Sequence, residues 1–125
     1  MKTFTAGFDG SATPNPGQMM IGGWIKDPSG KQVYSFSRAI GEGTNNIAEY
    51  QALLTLLKEA RKLGIKNISV QGDSALIINQ VKGIWKARDP RMVQYKNRVH
   101  AVLKHMNWEL HHVLRKFNKE ADSLT

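Results

Sequence analysis

Hydrophobic and polar positions alternate at first. Across Thr3–Asp9, Phe4, Ala6 and Phe8 fall on one side and Thr5, Gly7 and Asp9 on the other, which is the period of a strand. Met19–Lys26 predicts a second strand, and Gln32–Ile40 a third with Tyr34, Phe36 and Ile40 on one face. Between them lies Asp27-Pro28-Ser29-Gly30, with proline second and glycine fourth, the signature of a type I turn. Three consecutive antiparallel strands make a meander.

The period then lengthens. Ile47, Tyr50, Leu53, Leu54, Leu57 and Ala60 recur at helical spacing, and Gly64 follows Leu63 where a helix C-cap belongs. Asn67–Gly72 predicts a short strand carrying Ile68 and Val70. Ser74–Lys82 predicts a second helix with Leu76, Ile77, Ile78 and Val81. Asp89-Pro90 reads as an N-cap followed by proline at the first helical position. Behind it Met92, Tyr95, Val99, Val102, Leu103 and Met106 trace one stripe. Trp108–Val113 is the last predicted strand, and Asn118–Thr125 a short final helix. Helical crossovers between the third, fourth and fifth strands require parallel neighbours. The expectation is an α/β fold, a five-stranded mixed sheet with helices on its faces. There is no internal repeat, linker or low-complexity run, so residues 1–125 are expected to form one domain.

Composition narrows the functional classes. At 125 residues and 41% hydrophobic, the chain can build one core. It has no cysteine, which removes disulfides and thiolate metal sites and suits a reducing compartment. MKTFTAGFDG holds no long apolar stretch, so no secretory leader is expected, and no run is long enough to span a bilayer. A cytoplasmic location and a monomeric state follow as expectations. The 18 Lys and Arg exceed the 10 Asp and Glu, for a net charge of +8. That excess favours a polyanionic partner. Nucleic acid stands ahead of a membrane, because no segment forms a basic amphipathic anchor.

Four acids sit at predicted element boundaries beside apolar residues, in FDGSATPNPG, TNNIAEYQALL, VQGDSALIINQ and RKFNKEADSL. Each has a plain local reading. Asp9-Gly10 makes a turn at the end of the first strand. Glu49, in the first turn of its helix, completes a capping box with Asn46. Asp73 is a good N-cap for the second helix. Asp122 is an exposed helical acid. Taken together they point further. Converging carboxylates repel one another and lose hydration, a cost that hard divalent cations remove. Mg²⁺ takes oxygen ligands and leaves positions for phosphate oxygens. Two such ions about 3.5–4 Å apart stabilise attacking and leaving oxygens in an in-line phosphoryl displacement.

These four stretches, in this order and spacing, resemble the type 1 ribonuclease H family over nearly the whole chain. The short form of the family fits, because GDSALIINQVKGIW runs directly into the helix opened by Asp89-Pro90. The resemblance implies sheet order 3-2-1-4-5 with strand 2 antiparallel. It implies an endoribonuclease that hydrolyses the RNA strand of RNA–DNA hybrids with two Mg²⁺ ions, leaving 5′-phosphate and 3′-hydroxyl ends. Mn²⁺ is expected to substitute. The implied catalytic and metal-binding set is Asp9, Glu49, Asp73 and Asp122. Asp9 would bridge both ions, Asp122 would complete the site of the ion that activates water, and Glu49 and Asp73 the other. The resemblance also implies that Asn15, Asn45 and Asn46 contact the hybrid's minor groove, and that Thr44 helps to hold a DNA-strand phosphate. Helix capping is the alternative for Thr44, Asn45 and Asn46. The alternative for the whole chain is a non-catalytic nucleic-acid-binding module on the same fold.

The sequence departs from the family in three places. Gly83–Arg88 lacks a basic, tryptophan-rich protrusion, so grip is expected from Lys82, Lys86 and Arg88 with Trp85, although a lone aromatic is more simply read as core. No histidine lies between Val113 and Asp122, which leaves Arg115 as the candidate replacement. Arginine cannot serve as a base at neutral pH, so its expected role is charge stabilisation or phosphate contact. His111 and His112, adjacent in a strand, face opposite ways and are read as structural. The final helix is short, so Asp122 is expected to be loosely held.

Overall fold

The computed structural model describes residues 2–125. Strands β1 (Phe4–Thr13), β2 (Gly17–Lys26) and β3 (Gln32–Gly43) form the meander. Helix α1 (Asn45–Lys62) leads to β4 (Asn67–Gly72). Helices α2 (Ala75–Val81) and α3 (Pro90–Leu103) lead to β5 (Asn107–His112). A 3₁₀ turn, Arg115–Phe117, precedes the short helix α4 (Lys119–Asp122). The sheet order is β3-β2-β1-β4-β5, antiparallel from β3 to β1 and parallel across β1, β4 and β5. This is the mixed sheet that the sequence predicts.

The two faces of β1 are covered by different helices. A Cβ on Gly10 would run into the Ala48 carbonyl and the Glu49 amide, so α1 lies directly against that face. Asp9 pairs with Gly22 across β1 and β2, and a Cβ on Gly22 would meet the Leu124 side chain at 2.6 Å. The segment around α4 therefore covers the opposite face. Phe8, Tyr50, Leu53, Leu57, Ile68, Val70, Ile77 and Leu110 are all buried between these layers.

Asp9 does not end its strand. The antiparallel pairing of β1 with β2 continues from Thr5↔Lys26 to Thr13↔Gln18. Composition misleads here, since Gly, Ser and Thr form strand when a partner backbone is in register. The loop shrinks to Pro14–Pro16, with cis peptides before both prolines. On its other side β1 does lose a partner, because parallel pairing with β4 stops at Gly7↔Gln71. Beyond that point the amides of Gly10 and Ala12 face a gap. Buried amides need acceptors, and the start of α1 supplies them. Gly10 N–H donates to Glu49 Oε1, and Ala12 N–H donates to Asn45 Oδ1 at 2.7 Å.

Both predicted acidic caps are replaced by neighbours. Thr44 caps α1, its Oγ1 accepting from Ile47 N–H at 3.2 Å, so Glu49 is the fifth helical residue and belongs to no capping box. Ser74 caps α2 through Ile77 N–H at 3.3 Å, and Asp73 is left free to point elsewhere. Asp89 caps α3 as expected, accepting from Arg91 N–H at 2.9 Å. Trp85 is 46% exposed beside Ile84, so it is not a core residue. Ala87 is the residue of the α2–α3 connection that packs into the core instead. His111 and His112 are exposed, with His111 Nε2 3.6 Å from Glu109 Oε2.

Candidate active site

Three carboxylates meet where β1 and β4 separate. Asp9, Glu49 and Asp73 each offer an oxygen, and the three oxygens lie within 4.8 Å of one another. They come from mid-strand β1, the second turn of α1 and the residue after β4. Asp9 and Glu49 are buried, while Asp73 is partly open to an adjoining cavity of about 350 Å³. Asp122, on α4, lies outside this group of three and meets it through Arg115. Arg115 spans the group, its Nη2 3.3 Å from Asp122 Oδ1 and its Nε 3.7 Å from Asp73 Oδ2.

The electrostatics follow from crowding. Burial pushes the Asp9 carboxyl up to about 7, helped by Asp73 and Asp122 and opposed by a hydrogen bond from Thr125. Burial pushes Glu49 up to about 9, with the charges of Asp9 and Asp73 adding to it. Asp122, then Asp73 and Asp9, hold the Arg115 guanidinium above its ordinary value. One cation against four acids leaves a site short of positive charge. The donor set is all oxygen, which suits hard divalent ions.

Asn45 and Asn46 stand on the rim. Both line the acidic cavity and a neighbouring one of about 430 Å³, which Asn15 and Thr44 also line. Asn15 Oδ1 accepts from Asn45 N–H at 3.1 Å. The carbonyl ends of Asn15 and Asn45 are therefore committed to backbone, which turns their amide donors outward.

The sequence profile of a family described as "Reverse transcriptase-like" matches residues 7–125. The chain belongs to this ribonuclease H-like family. The ribonuclease H-like domain is 36% identical to ribonuclease HI of Halobacterium salinarum over 118 residues, 94% of the chain and 59% of that protein. It superposes on the crystal structure of the Halobacterium enzyme with a TM-score of 0.94, covering 98% of this chain and 93% of that one. The N-terminal RNase H domain of Rv2228c from Mycobacterium tuberculosis matches at 0.96 with 29% identity, covering 100% and 91%. LC11-RNase H1, solved in complex with an RNA/DNA hybrid, matches at 0.90 with 31% identity, covering 97% and 92%. The chain spans about three fifths of the Halobacterium protein's length.

In this ribonuclease H-like domain several supporting residues escape sequence reasoning. Asn118 is buried and donates from Nδ2 to Phe8 O at 3.0 Å, another open edge group of β1. Thr125 Oγ1 lies 2.8 Å from Asp9 Oδ2. An asparagine heading a short helix was a signal for Asn118. Nothing in the pattern marks Thr125.

Proposed function

We propose that the chain is an endoribonuclease that hydrolyses the RNA strand of RNA–DNA hybrids, leaving 5′-phosphate and 3′-hydroxyl ends. The observation that carries this reading is the meeting of Asp9, Glu49 and Asp73 within 4.8 Å, with Asp122 and Arg115 beside them. The hybrid bound by LC11-RNase H1 and the name of the Halobacterium relative support it. Buried carboxylates that raise one another's pKa fit Mg²⁺ or Mn²⁺ well. When bound, two such ions supply an activated water and stabilise the leaving oxygen of an in-line displacement. Asp9 would hold both ions, Asp122 the one on the water side, and Glu49 and Asp73 the one on the leaving side.

The remaining residues position the hybrid. Outward amides of Asn15 and Asn45, with Asn46, suit the 2′-hydroxyls and base edges of a minor groove. Thr44 takes a DNA-strand phosphate at the edge of the neighbouring cavity. Arg115 contacts the developing phosphate charge. Exposed Trp85, with Lys82, Lys86 and Arg88, grips the duplex beyond the site. Residues 1–125 act as one monomeric domain in the cytoplasm. Among the described residues no helix is long and apolar enough to cross a membrane.

The test is direct. Labelled RNA–DNA hybrid, RNA duplex and DNA duplex are incubated with Mg²⁺, Mn²⁺ or EDTA, beside Asp9→Asn. Hybrid RNA alone is expected to be cut, cutting is expected to stop in EDTA, and Asp9→Asn to lose more than about a hundredfold in rate. Hybrid binding without cleavage in either metal would establish a binding module instead.

A further inference from the structure

Thr125 has no assigned task, yet its hydroxyl reaches the centre of the acidic group. Oγ1 lies 2.8 Å from Asp9 Oδ2 and 3.0 Å from Asp122 O. A hydroxyl carries one proton, and an ionised carboxylate is the stronger acceptor of the two. The bond therefore falls to Asp9 whenever Asp9 is charged. Asp9 Oδ2 keeps a second lone pair, and Oδ1 keeps both of its own, so the contact orients the carboxylate without filling it.

The segment that carries Thr125 is anchored at several points. Ser37 Oγ donates to Leu124 O, and the Leu124 side chain occupies the space that Gly22 leaves open. Leu124 N–H and Thr125 N–H donate to Ala121 O and Asp122 O at 3.0 and 3.1 Å. Lys26 Nζ holds Glu120 at 2.8 Å on the same face. Gly22 is the cross-strand partner of Asp9, so the anchor and the carboxylate share one register position.

We propose that Thr125 is a positioning residue: its hydroxyl, latched over β2 by Leu124 and Ser37, fixes the Asp9 carboxylate in the orientation that receives divalent ions. This rests on the hybrid-nuclease reading above. It goes beyond that reading by giving the metal site a neutral side-chain partner outside the four acids.

The experiment is an Mn²⁺ titration of the full chain by calorimetry, with thermal melts in EDTA and hybrid kinetics alongside. Thr125→Val removes the hydroxyl at nearly constant shape, and Thr125→Ser keeps it. Thr125→Val is expected to weaken Mn²⁺ binding about fivefold, as loss of a hydrogen bond to a charged group does when part of it is replaced by water. Its melt in EDTA should match wild type, its KM for hybrid should hold, and saturating Mn²⁺ should restore its kcat. Thr125→Ser should bind Mn²⁺ within about twofold of wild type. If Thr125→Val binds Mn²⁺ as tightly as wild type, or more tightly, the inference is wrong. A weakened Thr125→Ser would overturn it as well. Wild type that binds no Mn²⁺ and cuts no hybrid would instead remove the nuclease reading on which it stands.

Discussion

Glu49 is the residue under the greatest electrostatic conflict. It is buried beside two other acids, and its partner is a backbone amide rather than a cation. The conflict makes the metal-free protein sensitive to pH, and the sign is set by proton binding. Asp9 and Glu49 titrate near 3.8 and 4.5 when unfolded, but at about 7 and about 9 in the fold. Between those limits the native state holds more protons than the unfolded chain, so stability falls as pH rises. The contribution is whole below pH 3.8 and is lost progressively up to about 9. Urea midpoints measured in EDTA across this range are expected to decline, and saturating Mg²⁺ to flatten the decline. Glu49→Gln should remove the upper part of the slope while keeping an acceptor for Gly10 N–H. It should also abolish hybrid cleavage. A metal-free profile that rises with pH would contradict this account.

At the scale of elements, the site depends on how closely α1 meets β1. Gly10 has no Cβ, and that absence lets the Ala48–Glu49 backbone lie against the strand where β4 has left it. Gly10→Ala would push backbone against backbone, which cannot relax by turning a side chain. A loss of about 3 kcal/mol in unfolding free energy is expected, with Mg²⁺ affinity falling as Glu49 moves away from Asp9. Trp85 lies at the other extreme. Being 46% exposed, Trp85→Ala should leave the melting temperature within about 2 °C of wild type and raise KM for hybrid, where a core tryptophan would cost about 3–5 kcal/mol. Much of this framework was legible in the chain. Strand β4 and the Asp89-Pro90 start of α3 carry local signals strong enough to place them. The second half of β1 was not legible, because its strand character comes from pairing with residues five to eleven positions away rather than from Gly10–Thr13 themselves. The caps failed for a related reason. Thr44, Asn45 and Asn46 are all competent caps, as are Asp73 and Ser74, and tertiary contacts choose among neighbours. The three acids that meet, Asp9, Glu49 and Asp73, were all candidates in the sequence. How they are held was not legible, since Asn118 and Thr125 act across 110 and 116 positions.

The whole molecule separates its charges by place. Three of its ten acids line one pocket with Asp122 and Arg115 at its edge, and the other six acids are set against seventeen Lys and Arg over the rest of the chain. The net positive charge attracts a polyanion, while the acids grouped at the cleft suit cations. Binding and chemistry should therefore respond to different variables, salt for the first and divalent ions for the second. Exposed Lys86 and Arg88, beside Trp85, are placed to neutralise phosphates away from the pocket. Each phosphate contact contributes a slope of about 0.7–0.9 to the dependence of log affinity on log salt. Lys86→Ala with Arg88→Ala should thus lower the salt slope of KM for hybrid by about 1–2, raise KM severalfold at moderate salt and leave kcat unchanged. Lys31→Ala is the control. Its turn follows Lys26, the partner of Thr5 at the end of β1 away from the acids, so it should alter neither slope nor KM. If all three substitutions moved the slope equally, attraction would be a property of net charge alone, and no tract beside Trp85 would be needed to hold the duplex.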